Sequence, residues 1–332
     1  MARQRWVVVA LAISLGTVAC KKQEQAKTDQ GSGATKTESK SDPGAAKKPD
    51  APASQAQGDL GLIPVDAEAV IGVNWGQLQG SPIWKQFVEP EMKKDNDFIK
   101  GMETFKERCG FDPMTSVKQM AVGMKNLGGD PDGIMVLHGL DKAKVMACAD
   151  KWNEEAAKEK LTIKKDGDIV TVTGEDGSAG ITFISDNRML VVVGKAVTAD
   201  AVKKAAQGGS TLSTSPAFVE MYGKINKDQS AWFLMNGNSK IFEEAQQLGL
   251  RPKAVFGSMN VTDGVSADVR ARLDSADQAT QTVANFKGQV QAMASMFDKL
   301  DIASDGADVK LSAAASITKL QSLFKLIAGG GM

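Results

Sequence analysis

The chain contains one histidine, His138, at the end of the apolar run Ile134 to Leu137. A histidine-rich zinc site or a Ser-His-Asp triad would have to be built around this single side chain. No serine-bearing nucleophile elbow accompanies it, so it reads as a strand-end side chain with a satisfied hydrogen bond. Ser322 and Lys325 have S-x-x-K spacing, which could set a lysine one turn from a serine nucleophile, and Ser185-Asp186-Asn187 has the S-D-N form of the penicillin-binding enzymes. Their order is reversed relative to those enzymes and no K-T-G strand follows, so the first reads as a helix face and the second as a hairpin turn. Asp130, Asp132 and Gly133, like Asp305, Gly306 and Asp308, hint at a cation loop. Neither group has the spaced oxygen ligands and closing Glu of an EF-hand, and both fit surface turns. No spacing identifies two carboxylates for acid and base work, and no Walker loop or strand-linked G-x-G-x-x-G is present. The residues therefore assign no catalytic group, no metal and no cofactor.

The remaining chemistry lies in three cysteines, Cys20, Cys109 and Cys148. Cys20 closes the stretch MARQRWVVVALAISLGTVAC. Arg3 and Arg5 give a positive start, and Trp6 to Leu15 is an apolar run of secretion-signal length, too short to cross a hydrocarbon core of about 30 Å as a helix. Gly16 to Ala19 are small or modest residues leading up to the cysteine. Export of this kind leads to a compartment that permits disulfides, leaving Cys109 and Cys148 as an even pair. Phe98, Met102, Phe105 and Cys109 share one helix face, and Val145, Cys148, Ala149 and Trp152 share another. A Cys109–Cys148 bridge is expected, the alternative being two buried thiols acting as small hydrophobes.

Composition limits the partners. Of 332 residues, 42% are hydrophobic, and the 40 basic and 40 acidic residues cancel. Aromatics are only 5% and the lysines are scattered among acids, so no basic stripe with interleaved rings exists and no nucleic-acid role is expected. Lys21 to Gly58 contains no Ile, Leu, Val, Met or aromatic residue. Such a segment cannot bury enough apolar surface to offset its ordering entropy, and reads as a polar tether of roughly 30 to 40 Å root-mean-square span.

A folded body is expected from about Leu60. Ala67 to Trp75 reads as a strand, and Ser81-Pro82 as the start of a helix. A further helix runs to Arg108 with Gly110 as its C-cap, followed by strands at Val117 to Met124 and Gly133 to His138 and a helix capped by Asp141. Leu161 to Lys195 reads as an antiparallel meander punctuated by Asp-Gly and Asp-Asn turns, and a short helix follows from Thr198. Gly208-Gly209-Ser210 is the best internal boundary. Beyond it Ser215-Pro216 echoes Ser81-Pro82, and Ala231 to Asn236 echoes the Val70 to Asn74 stretch. A helix near Ser239 to Leu248, a hairpin turning at Asp263-Gly264, a long helix from Ala276 to Leu300, a strand pair around Asp305-Gly306 and a helix from Ile317 to Ile327 complete the pattern. This is an α+β fold of antiparallel sheets with packed helices, read as two duplicated sheet-and-helix halves, 59–207 and 208–332, behind a leader (1–20) and a tether (21–58). On the long helix Phe286, Met293, Met296 and Phe297 mark the place for an adaptable apolar binding surface, although core packing explains the same stripe.

The approach to Cys20 resembles the lipobox of bacterial lipoproteins, with Thr17 where that pattern usually has Leu. The resemblance implies that the Cys20 sulfur takes a diacylglycerol and the new N-terminus an acyl chain; the alternative is ordinary cleavage leaving Cys20 free. The lipobox-like cysteine, the polar tether and the opening IPVDAEAVIGVNW also resemble Gram-negative envelope lipoproteins with repeated α+β domains, a family that brings no catalytic residues to transfer. Lys21, where an inner-membrane retention signal would be Asp, implies the outer membrane. The expected function is a non-catalytic, membrane-anchored binding or structural module whose partner is an envelope protein or an apolar ligand. The alternatives are a carrier or chaperone for lipid and a hydrolase using paired carboxylates.

Overall fold

Polar turn pairs divide the chain into strands: Gly167 and Gly306 take φ of +58° and +59°, the left-handed geometry a tight hairpin needs. The computed structural model describes residues 58–328 apart from 128–129, 131, 153–155, 158–159, 240–241 and 243–250. The strands are β1 (Ala69–Val73), β2 (Gln119–Lys125), β3 (Asp132–His138), β4 (Thr162–Asp166), β5 (Ile169–Gly174), β6 (Gly177–Ser185), β7 (Arg188–Gly194), β8 (Ala231–Asn236), β9 (Ala254–Val261), β10 (Gly264–Arg272), β11 (Lys299–Asp305) and β12 (Asp308–Ser316). They form one 12-stranded sheet in the order β11-β12-β10-β9-β8-β1-β2-β3-β7-β6-β5-β4. Every pairing is antiparallel. The α+β expectation therefore holds, with both halves joined in one continuous sheet. From the central β1–β8 pair each half runs three strands outward and crosses by a helix to the sheet edge, then returns toward the third strand, through four strands (β4 to β7) in the first half and two (β11 and β12) in the second.

The helices among the described residues are α1 (Trp75–Gly80), α2 (Glu89–Met92), α3 (Asn96–Cys109), α4 (Pro113–Ser116), α5 (Lys142–Lys151), α6 (Ala199–Ala206), α7 (Pro216–Gly223), α8 (Ala276–Met293) and α9 (Ile317–Ala328). Polar N-caps start six of them: the side chains of Asp95, Asp112, Asp141, Thr198, Ser215 and Ser275 each accept a backbone N–H of the first turn. Each cap is worth about 1 kcal/mol. Two boundaries differ from the sequence reading. The stretch after Ser81 forms a π-turn over Trp84–Val88 before α2, because Pro90 has no N–H to continue an α-helical ladder. The long helix stops at Met293 instead of reaching Leu300, because Leu300 is claimed by the sheet, opposite Ala313 of β12. The helix expected near Ser239 to Leu248 lies largely outside the described residues.

Register fixes what each face carries, since antiparallel partners point to the same side. One face reads Val192, Ile134, Gly123, Val70, Leu234, Phe256 from β7 across to β9 and then turns charged at Arg270 and Lys310. Residues 58–68, α6 and α7 cover its apolar part: Leu60, Ile63, Phe218 and Tyr222 join Val70, Trp232 and Phe256 in one buried cluster. The opposite face is apolar in an unbroken row, Val170, Ile181, Val191, Met135, Val122, Ile71, Phe233, Gly257, Val269, Leu311, Ile302. Over the first half Trp75, Trp84, Phe111 and Met114 close on it. From Val122 to Ile302 every member of that row except Gly257 is only half-buried, and neighbouring Met259 is 37% exposed.

Candidate functional site

The described chain enters the body as a strap, residues 58–68, that climbs across one sheet face before turning into β1. At its lower end the sheet presents a row of polar side chains, because Gln119, His138 and Arg188 are register partners on β2, β3 and β7. Asp59 of the strap reaches this row and is almost fully buried, at 3% exposure. Its Oδ2 and Oδ1 lie 2.8 and 3.0 Å from His138 Nε2, and Arg188 Nη2 lies 2.7 Å from Oδ1. Above this clamp Leu60 and Ile63 are buried, Ile63 seated against Gly123, where a Cβ would come within 2.3 Å of its Cγ2. The strap then runs beside the connection between the halves: Val65 N–H donates to Ser210 O (3.1 Å) and Leu212 N–H to Ile63 O (3.0 Å), around a Pro64–Thr211 bridge.

Between the upper strap and α6 lies a cleft of about 580 Å³. Its floor is Gly123, Ile134 and Val192, one wall is Ala201 and Ala205 of α6, the other is Leu62 and Pro64, and Gly208 to Thr211 close the back. Lys125, Lys204, Asp66 and Asp132 stand at the rim. The volume is within the range of small-molecule sites, and the lining suits a ligand with an apolar body and a polar end.

The other carboxylate buried among the described residues, Asp308, is fully shielded from solvent and binds Arg272, while Lys224 Nζ donates to it at 2.8 Å. Arg272 turns its second edge to Glu220 in a bidentate pair at 3.0 Å for both bonds. Burial pushes the Asp308 carboxyl up, but the hydrogen bonds from Arg272 and Lys224 outweigh it and hold the group below its ordinary range. This network ties α7 to β10 and β12. Both buried acids are thus held by cations, an arrangement suited to fixing elements in place and not to proton transfer at a substrate.

The structure joins Cys109, at the end of α3, to Cys148 of α5 in a disulfide across 39 positions. Trp152 Nε1–H donates to Cys109 Sγ at 3.1 Å, and Phe105 packs beside them. Phe286 is half-buried on α8, Met293 is 48% exposed, and Met296 and Phe297 are half-buried beyond its end. None of these four lines the cleft, whose walls come from the other half of the sheet. Cys20 lies outside the described residues. His138 does have the satisfied hydrogen bond expected of a strand-end histidine, but its partner Asp59 and its neighbour Arg188 carried no sequence signal: they stand 79 positions before and 50 after it, and only the strand register brings them together. Among the described residues no group of three or more His, Cys, Asp or Glu could hold a metal, and no helix is long and apolar enough to cross a membrane.

No protein-family model and no curated protein matches the chain. Its fold is similar to solved structures titled crystal forms I, III and IV of TP0453, with TM-scores of 0.50, 0.51 and 0.51 at 9%, 9% and 8% identity. Each match covers 80% of this chain and 95 to 96% of the other. At that identity the likeness is one of fold alone.

Proposed function

We propose that the protein is a non-catalytic binding module of the bacterial cell envelope, exported and anchored through lipidated Cys20, with the outer membrane as its site. The observation that carries the binding role is the cleft of about 580 Å³, apolar in floor and walls and charged only at its rim. The leader and the Cys20 motif support the anchor, since several acyl chains hold a protein on a bilayer at about 0.8 kcal/mol per buried CH₂. A second reading, a carrier for lipid or another apolar ligand, is favoured by the loosely covered row from Val122 to Ile302 and by half-exposed Met259. The hydrolase reading draws no support from two buried acids that are both ion-paired. The test has two readouts. Metabolic labelling with a fatty-acid probe should mark the exported protein and not its Cys20→Ala variant; an unlabelled product would remove the anchor. Mass spectrometry of protein purified from its own envelope should find an apolar small molecule or a bound envelope protein, either one lost in Ala205→Trp, which fills the cleft. Identical binding by that variant would move the site elsewhere.

A further inference from the structure

The strap is one wall of the cleft, and it is also the direct continuation of residues 21–58. Its upper part rests on backbone hydrogen bonds from Val65 to Ser210 and from Leu212 to Ile63. Its lower part rests on Asp59, and this seat is poorly satisfied. Among the described residues four buried side-chain polar atoms have no hydrogen bond, Arg188 Nε, Arg188 Nη2, Tyr222 Oη and Asp268 Oδ1. Three of the four lie along the lower strap: Arg188 Nη2 is 2.7 Å from the Asp59 carboxylate, though without the angle of a hydrogen bond, and Tyr222 packs in the same buried cluster as Leu60. Both carboxylates are hydrogen-bonded, Asp59 by His138 and Asp308 by Arg272 and Lys224, and the contrast lies at the arginines: Arg272 has Nε, Nη1 and Nη2 all bonded to Asp308 or Glu220.

Unbonded buried polar atoms raise the free energy of the closed state and regain hydrogen bonds to water when exposed. Lifting the strap would expose Leu60 and Ile63, which opposes opening, but hydration of Arg188 and Tyr222 offsets part of that loss. Closed and lifted straps are thereby nearer in free energy than a fully bonded seam would allow, which is the condition for a two-state element. We propose that residues 58–67 are a displaceable wall of the cleft, bolted at Asp59 by His138 and Arg188, and that release of this bolt admits ligand. The proposal rests on the cleft being the binding surface and adds how access to it is controlled.

The test follows the uptake of N-phenyl-1-naphthylamine, a neutral apolar dye, into the full chain by stopped-flow fluorescence. Asp59→Asn, which keeps the shape and removes the charge, should speed uptake by about tenfold or more, the loss expected for charge-assisted hydrogen bonds, with the equilibrium affinity largely kept. A Pro64→Cys/Thr211→Cys pair spans the bridge that holds the upper strap; its oxidised form should take up dye more slowly. Reductant at a level that leaves the parent protein unchanged should restore the rate. Unaltered uptake rates in both variants, with dye still bound, would overturn the gate and leave the cleft standing. A parent protein that binds no dye, or binds it equally well as Ala205→Trp, would overturn the cleft reading itself.

Discussion

Tyr222 shows how one side chain records its surroundings. Its ring is held 5.8 Å from Phe218 and 5.2 Å from Trp232, with Lys227 Nζ 4.6 Å above it, and its hydroxyl is buried without a hydrogen bond. Burial first, and then the charge of Asp59, holds the phenol well above its ordinary pKa. A group whose folded value is raised contributes stability that is whole below its unfolded value, about 10 for tyrosine, and is lost as pH climbs toward the folded value. Tyr222→Phe should therefore be neutral or stabilising by up to about 1 kcal/mol at pH 7, and the decline of stability above about pH 10 should become shallower. Urea unfolding at the two pH values reads both effects. A neutral-pH loss of more than about 1 kcal/mol would mean that the hydroxyl has a partner in the folded protein.

The element that depends most on a single covalent link is α3. Among the described side chains from Pro82 to Arg108 none is fully buried, and only Cys109 at the helix end reaches the interior, at 7% exposure. A helix with so little buried surface is held mainly by its neighbours, here the Cys109–Cys148 bond to α5 and the Phe105, Phe111 and Trp152 rings around it. Replacing both cysteines by alanine frees a loop of 39 positions in the unfolded chain. That change should cost about 2 to 4 kcal/mol. Hydrogen exchange should find α3 amides losing protection first; a variant with parental protection there would show that packing alone holds the helix.

At the scale of the whole molecule the joint between β1 and β8 decides whether the halves act as one. Gly72 stands directly opposite Trp232, and the indole lies where a Cβ would be, with the nearest atom at 2.0 Å. Gly72→Ala should force the indole off its site and cost about 1 to 3 kcal/mol, the usual price of overpacking. The buried cluster containing Val70, Trp232, Leu234 and Phe256 spans this joint, so urea should unfold the body in one transition that the substitution shifts as a unit. Two separate transitions in the parent protein would make the halves independent domains.

Turn chemistry and periodicity made most of the elements legible. The Asp-Gly and Asp-Asn pairs located the hairpins, and Asp141, Thr198 and Ser215 located three of the six capped helix starts, the caps Asp95, Asp112 and Ser275 having gone unread. The two cysteines on core-facing stripes announced their bond, because these signals act within a few residues of chain. The end of α8 was misplaced because its apolar stripe continues into Leu300, and only pairing with Ala313 shows that the sheet holds that residue. The readings of residues 1–20 as a leader ending in a lipid-anchor cysteine and of 21–58 as a polar tether rest wholly on the sequence, since the signals behind them are local. The cleft and the clamp beneath the strap belong to the fold: Asp59, His138 and Arg188 meet through the register of β3 and β7 and the path of the strap. Contacts of that range depend on how strands align across a sheet, and no spacing along the chain encodes them.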